Sequence, residues 1–433
     1  MNLLVTNTHN AQAYAIIRAL RPHAQKIVAS MEGKNRLAAS LSHAANSRLV
    51  DKRRHTPSPA EDWREGRIQR ENTEREEAYI QAVLAICKEE KIDTIFPSFD
   101  PHVYVFSKNK ERFEKMGVVI PVPGYEAVVI PLDKHRTIQA AQEAGFPCPR
   151  TYLPKTEDDL KRIAEEMGFP LVVKPRFTAA GRGTEIVRDV SELLRKALLV
   201  QAKQGMPLIQ EYIPGSTGKD CYLVLDKKGG LKAAFCDWNF RNFFRLNSNL
   251  PAVTESTAPH VYLGHATTLL QRLGWWGGVQ VETKIDQRDG IPKLMEINPR
   301  LGRRLWRRTE LGINEPLMSV RIARGEEIEE VSEYPLGIML IDPVEDMMGL
   351  VFKLLDLLVY NFRTGILRKT PIDPLNSPAT LKELIRSYKA TYFTRRKVFN
   401  PYFRYFLQDP LVSLLWWCQF ALLMSGAAKQ LGR

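Results

Sequence analysis

At 433 residues, with 44% hydrophobic and 26% charged side chains, the chain is too long for one compact core and too apolar for global disorder, so three or four packed units are expected. A net charge of +13 favours polyanionic neighbours (nucleic acid, an anionic membrane surface or a phosphorylated substrate) without choosing among them. The five cysteines, Cys87, Cys148, Cys221, Cys236 and Cys418, show no CxxC or Cys/His ligand spacing and fit reduced thiols in a cytosolic protein; no secretory signal is expected at the amino terminus.

In chain order, residues 2 to 6 predict a buried strand, Ala11 to Leu20 a helix and Lys26 to Ser30 a second strand, the order of a βαβ unit. A polar, basic stretch from Arg48 to Arg70 interrupts the pattern. A helix over Glu74 to Glu90 and a strand over Thr94 to Pro97 resume it, so residues 1–122 predict a small open α/β domain. It lacks GxGxxG after its first strand, which argues against a dinucleotide site there. Helices are then expected over Lys134–Ala144, Glu157–Met167 and Val190–Gln204, with strands over Leu171–Lys174 and Leu208–Glu211. Strand patterns dominate from Cys221 to Glu296, which predicts α+β subdomains.

The run from Val279 to Arg300 carries the strongest chemical pattern. Glu282 ends an apolar strand, and Glu296 lies on a second strand, Lys293-Leu294-Met295-Glu296-Ile297-Asn298, with Asp289-Gly290 as the turn between them. Such a hairpin sets the two carboxylates side by side, and Asn298 adds a third oxygen on the same face, the hard donors that Mg²⁺ bridging ATP phosphates requires. Arg300 points the same way and suits a transferred phosphoryl group or an anionic substrate. Lys174 ends a Val-Val strand before the small-residue loop that contains Gly181, Arg182 and Gly183, where backbone N–H groups approach phosphate oxygens. Glu211 ends another strand, Leu208-Ile209-Gln210-Glu211, followed by Tyr212-Ile213-Pro214-Gly215, a linker suited to a purine edge and ribose hydroxyls.

These pieces in this order resemble the ATP-grasp superfamily, particularly its carbamoyl-phosphate-synthase-like and carboxylate–amine-ligase-like members, over about residues 1–325. The resemblance implies an ATP-grasp domain over 123–330, with a lid at about 168–212, behind a pre-ATP-grasp α/β domain. It also implies that Glu282, Glu296 and Asn298 hold two Mg²⁺ ions, for which Mn²⁺ can substitute, that Lys134 and Lys174 contact ATP phosphates, and that Gly181, Arg182 and Gly183 cover them. Glu211, Tyr212 and Ile213 would hold ribose and adenine, with Asp220 the alternative to Glu211 at the ribose because the hinge after Pro214 is long. Ser98-Phe99-Asp100 would line the substrate cleft. The implied activity is ATP- and Mg²⁺-dependent activation of a small-molecule carboxylate as an acyl phosphate, attacked by an amine or thiol, with Lys174 and Arg300 catalytic. A carbamate-forming or biotin-carboxylase-like enzyme and a non-catalytic ATP-binding scaffold are the alternatives. Arg303, Arg304, Arg307 and Arg308 stand where relatives have small residues, and at i,i+4 spacing one pair of them could face the cleft.

Residues 331–433 lie outside the resemblance and predict a helical extension. Between Arg363 and Arg404 ten Lys/Arg face two acids, with aromatics interleaved, and Asp409-Pro410 then opens an uncharged run from Leu411 to Ala428. As a helix this run spans about 27 Å at ~1.5 Å per residue, short of a ~30 Å hydrocarbon core. The expectation is peripheral attachment to an anionic membrane or burial against the Asp346–Tyr360 helix; nucleic-acid binding is the weakest option because no RNP, KH or helix-turn-helix pattern accompanies the basic residues.

Overall fold

The computed structural model describes residues 1–32, 41–59, 73–178, 183–215, 218–242, 251–259, 262–361, 380–394 and 396–418. The amino-terminal unit is a four-stranded sheet in the order β3-β2-β1-β4, formed by β1 (Asn2–Val5), β2 (Lys26–Glu32), β3 (Lys52–Thr56) and β4 (Thr94–Phe96). All its pairings are parallel, so crossover helices cover it: α1 (Ala11–Leu20), α2 (Thr73–Glu90) and α3 (Asp100–Lys108). Alternation along β1 divides its side chains between two cores. Leu4 packs with Tyr79, Ile80 and Val83 of α2, and Leu3 and Val5 pack with Ile16, Ile17 and Leu20 of α1.

A second sheet is antiparallel, β5-β8-β6-β7, made of β5 (Thr151–Tyr152), β6 (Leu171–Lys174), β7 (Glu185–Val187) and β8 (Leu208–Glu211). One face buries Leu160 and Ile163 of a helix over Glu157–Met167 and Leu193 and Ala197 of a helix over Val190–Gln204. The first of these starts at a complete capping box between Thr156 and Asp159, which satisfies two otherwise orphaned N–H groups.

The largest sheet has seven strands, β13-β12-β9-β10-β11-β14-β15. They are β9 (Gly218–Leu225), β10 (Leu231–Asn242), β11 (Pro251–Thr257), β12 (Gly277–Ile285), β13 (Pro292–Asn298), β14 (Met339–Ile341) and β15 (Lys397–Phe399). The last two correct the expectation of a purely helical extension. Met339, Leu340 and Ile341 are fully buried beside β11, and the Asp342-Pro343 pair that stops this short strand starts a helix over Pro343–Asn361. The carboxy-terminal region thus lengthens the central sheet. All five cysteines are free, with Cys221 and Cys236 facing one another across β9 and β10.

The helical turns at 410–418 pack in the core that α1 lines, which the start of Pro343–Asn361 also reaches through Val344. Val412 and Trp416 are buried in the same core as Ile16 and Ile17. Trp416 stacks on Tyr402 at 4.7 Å between centroids, and Tyr402 stacks on Tyr14 at 4.9 Å. Asp409 accepts from Ser47 Oγ at 2.5 Å and from the Tyr14 hydroxyl at 3.3 Å, pinning the segment to the amino-terminal unit. The rest of the run to Ala428 lies outside the described residues, among which no helix is long and apolar enough to cross a membrane. Two aromatic residues of the basic-aromatic stretch serve the fold: Tyr392 donates to Asp346 at 2.9 Å, and Tyr388 lies under Arg241 at 3.8 Å.

Candidate active site

The hairpin joining β12 and β13 turns at Gly290, whose φ of 72° is the left-handed conformation that glycine adopts most cheaply. Asp289 supports it by accepting from the Ile291 N–H at 2.8 Å and pairing with Lys293. The register, shifted by a bulge between Glu282 and Thr283, puts Glu282 opposite Glu296 and Gln280 opposite Asn298. On its other side Glu282 faces Asp220 of β9, and Asp220 faces Asp237 of β10. Four carboxylates therefore cross four adjacent strands in one row: Glu296, Glu282, Asp220 and Asp237.

The row is electrostatically uneven. Burial, then the charges of Glu296 and Asp220, push the Glu282 carboxyl well above the usual range. Glu296 is also desolvated, but Lys134, Lys174 and Arg300 together hold its pKa below the ordinary value. Asp220 is pushed up to about 8, by burial first and Asp237 second. A second negative charge beside Glu296 is thus unfavourable without a cation between them. Two opposed carboxylates and an amide oxygen suit a hard divalent ion that takes its remaining ligands from phosphates and water. Among the described residues no cluster of three or more His, Cys, Asp or Glu forms a closed metal cage. Asn298 already lies on this site, donating to Glu282 Oε1 at 2.8 Å and accepting from Arg300 at 3.2 Å.

The cations converge from three elements. Lys134, first residue of a helix over Lys134–Glu143 capped by Asp133, lies 3.8 Å from Glu296 and donates to the Thr178 carbonyl. Lys174, at the end of β6, is buried and donates to the Met295 carbonyl at 3.2 Å; burial, then the nearby Lys134, lower its pKa to about 8 against the pull of Glu296 and Glu282. Arg300 comes 2.8 Å from Asp100, an ion contact without hydrogen-bond alignment, so Asp100 of the amino-terminal unit reaches the site as expected for the Ser98-Phe99-Asp100 segment. The chain beyond Arg300 can run close over the sheet only because residue 302 is glycine, where a Cβ would come within 2.5 Å of the Tyr222 ring.

The remaining sequence candidates are placed as follows. Gly183 has φ 69° and packs on Pro175, where a Cβ would meet Cγ at 2.9 Å; Gly181 and Arg182 lie outside the described residues. Glu211 is held by Arg288 at 2.7 Å and accepts from the Arg150 N–H at 3.2 Å; Ile213 is buried, and Lys284 stands 5.3 Å from the centre of the Tyr212 ring. Asp220 lies within the carboxylate row, away from this hinge. The four arginines do not form a shared helical face, since only Arg307 and Arg308 belong to the helix over Trp306–Glu310. Each is ion-paired: Arg303 and Arg304 with Glu345, Arg307 with Asp237 at 3.0 Å, and Arg308 with Glu315 at 2.7 Å. Sequence inspection missed Asp237 and Glu345, whose partners come from distant elements; an acid inside the apolar strand Ala233-Ala234-Phe235-Cys236-Asp237 was the one available sign.

Residues 133–331 match the family described as carbamoyl-phosphate synthase L chain, ATP binding domain, and residues 72–121 match the PylC-like N-terminal domain. The carbamoyl phosphate synthase large chain, N-terminal section, of Methanopyrus kandleri is 24% identical over 233 residues, which is 51% of this chain and 41% of that one. The D-alanine–D-alanine ligase of Stutzerimonas stutzeri is 33% identical over 102 residues, 24% of this chain and 32% of the ligase. The chain thus spans less than half the length of these curated relatives. A biotin carboxylase from Campylobacter jejuni, solved with β,γ-ATP, shares the fold at a TM-score of 0.62 and 16% identity, covering 78% of this chain and 74% of that one. With the hairpin carboxylates and the two lysines on the matched residues, the chain belongs to the ATP-grasp superfamily.

Proposed function

We propose that this protein is an ATP- and Mg²⁺-dependent ligase that activates a small-molecule carboxylate as an acyl phosphate for attack by an amine or thiol. The observation that carries this is Glu282 set opposite Glu296, its negative charge disfavoured by burial and then by that neighbour, with Lys134, Lys174 and Arg300 around the pair. Mg²⁺ between these carboxylates and Asn298 would bridge the nucleotide phosphates and neutralise charge there; two ions, exchangeable with Mn²⁺, are part of the proposal. Lys134 and Lys174, beside Glu296, would supply positive charge to phosphate oxygens, and Gly183 at the end of the lid loop would let backbone approach them. Arg300 orients the acid for in-line attack on the γ-phosphate, with Asp100 as its resting partner. Burial of Lys174 and Asn298 keeps water from the acyl phosphate until the nucleophile arrives. The purine and ribose fall to the Glu211–Ile213 hinge.

The test is ADP release across a panel of carboxylates, bicarbonate included, each with and without amines and thiols. Acid-dependent ADP formation in the wild type and its loss in Glu296→Gln is the expected result. Formation with bicarbonate alone would move the reading to a carbamate-forming or biotin-carboxylase-like enzyme. ATP binding without turnover on any acid would move it to a scaffold.

A further inference from the structure

On the helix over Pro343–Asn361 the exposed side chains, among the described residues, are Met347, Val351, Leu354, Leu355 and Leu358, all apolar and between 36 and 66% exposed. Spaced at i, i+4, i+7, i+8 and i+11, they form one stripe about 16 Å long. The other side of the helix, where Asp346 and Gly349 are buried, packs on β10 and β11. The stripe is therefore fixed to the sheet that carries the carboxylate row. An outer helix face is normally polar, and a run of large apolar side chains over three turns marks a surface that is covered in use.

A neighbouring helix over Leu381–Lys389 is fastened to the first turn of this one by Tyr388, which donates to the Asp346 carbonyl at 2.8 Å. It too leaves apolar side chains half-exposed, Leu381 and Ile385. Beside them stand the exposed cations Lys382, Arg386 and Lys389, none of which is ion-paired among the described residues. The acid of this helix, Glu383, is committed to its own capping box, accepting from the Thr380 N–H at 2.8 Å. The surface next to the stripe is thus net positive.

We infer that these two helices dock the protein on an anionic lipid bilayer, the stripe entering the boundary between headgroups and acyl chains and Lys382, Arg386 and Lys389 meeting lipid phosphates. Charge selects this covering over the others. A second copy would bring the same cations to the same place, on a chain that already carries +13. The uncharged run from Leu411 to Ala428 would shield the stripe and leave the cations without counter-charge. An anionic bilayer supplies an apolar phase and negative charge together. The attachment is peripheral, since no described helix is long and apolar enough to cross a membrane. It is independent of the ligase reading, because none of these residues belongs to the carboxylate row or to the cations around it.

Co-sedimentation of the full chain at low salt tests it, with vesicles of phosphatidylcholine alone and of equimolar phosphatidylcholine and phosphatidylglycerol. The wild type should bind the second and not the first. Leu355→Gln combined with Leu358→Gln keeps good helix formers and removes the apolar tip of the stripe. It should weaken binding to the anionic vesicles at least about ten-fold while leaving melting temperature and ATP affinity unchanged. Lys382→Gln, Arg386→Gln and Lys389→Gln together should weaken it roughly a hundred-fold, about five-fold for each cation. No binding of the wild type to the anionic vesicles, or equal binding by the folded double leucine variant, overturns the docking surface. So does a sharp fall in that variant's melting temperature, which would give the stripe to the chain's own interior. A wild-type dimer that the variant loses in analytical sedimentation would give it to a second copy and overturns the inference as well.

Discussion

Replacing Lys174 with Met should stabilise the nucleotide-free protein while removing its grip on ATP. The ammonium is buried at the end of β6 and its pKa is lowered from 10.5 to about 8. For a lysine a lowered folded pKa means that the folded state binds its proton less tightly than the unfolded chain does. The penalty is complete below pH 8 and fades as pH rises from about 8 through 10.5, above which both states are neutral. A shift of this size corresponds to about 3 kcal/mol at pH 7, since each unit is worth ~1.4 kcal/mol. Urea unfolding at pH 7 should therefore show the Met variant more stable by up to about 3 kcal/mol, and the gap should narrow by pH 10. Against this, a lost charge-assisted contact of about 1.5–3 kcal/mol should weaken ATP binding roughly 10- to 150-fold by calorimetry. A Met variant that is less stable than wild type at pH 7, or that binds ATP as well, would refute the argument that Lys174 is held strained for phosphate.

Glu296→Gln should fold normally yet lose nearly all acid-dependent ADP formation, because the metal pair is left one charge short; wild-type turnover would remove the metal assignment. Arg307→Ala leaves Asp237 buried and unpaired and should cost about 3–5 kcal/mol in denaturant unfolding, whereas the partly exposed Arg303→Gln should cost under about 1 kcal/mol; equal costs would contradict the burial difference. Deleting residues 405–433 should lower the melting temperature sharply and promote aggregation, since Val412 and Trp416 each contribute about 1.5–3 kcal/mol of buried apolar surface against α1. A truncation that melts like the full chain and merely stops pelleting with anionic liposomes would restore the membrane role for this segment.

Much of the architecture was local and therefore legible. The helices over Ala11–Leu20, Glu157–Met167 and Val190–Gln204 and the strands over Leu171–Lys174 and Leu208–Glu211 were bounded by their caps and periodicity alone. The carboxylate hairpin was legible as a hairpin from its Asp-Gly turn, but its register was not: unbroken alternation from the turn would set Glu282 opposite Met295, and a bulge between Glu282 and Thr283 brings it opposite Glu296. What no local pattern could supply was the company these residues keep. Asp220 joins the row because β9 pairs with β12 across a long stretch of chain, and its carboxyl is unusual because that pairing buries it and Asp237 arrives beside it from β10. The arginines after Arg300 had two sequence-level fates, an anion-binding face or a solvated one. Burial removed both for Arg307 and Arg308, since a charge taken from water must find its counter-charge and Asp237 and Glu315 were brought to them. The apolar carboxy-terminal run was similarly undecided. Composition makes such a segment leave water, but whether lipid or protein receives it depends on which surface is left open, and here the aromatic face of Tyr14 and Tyr402 on α1's side takes Trp416.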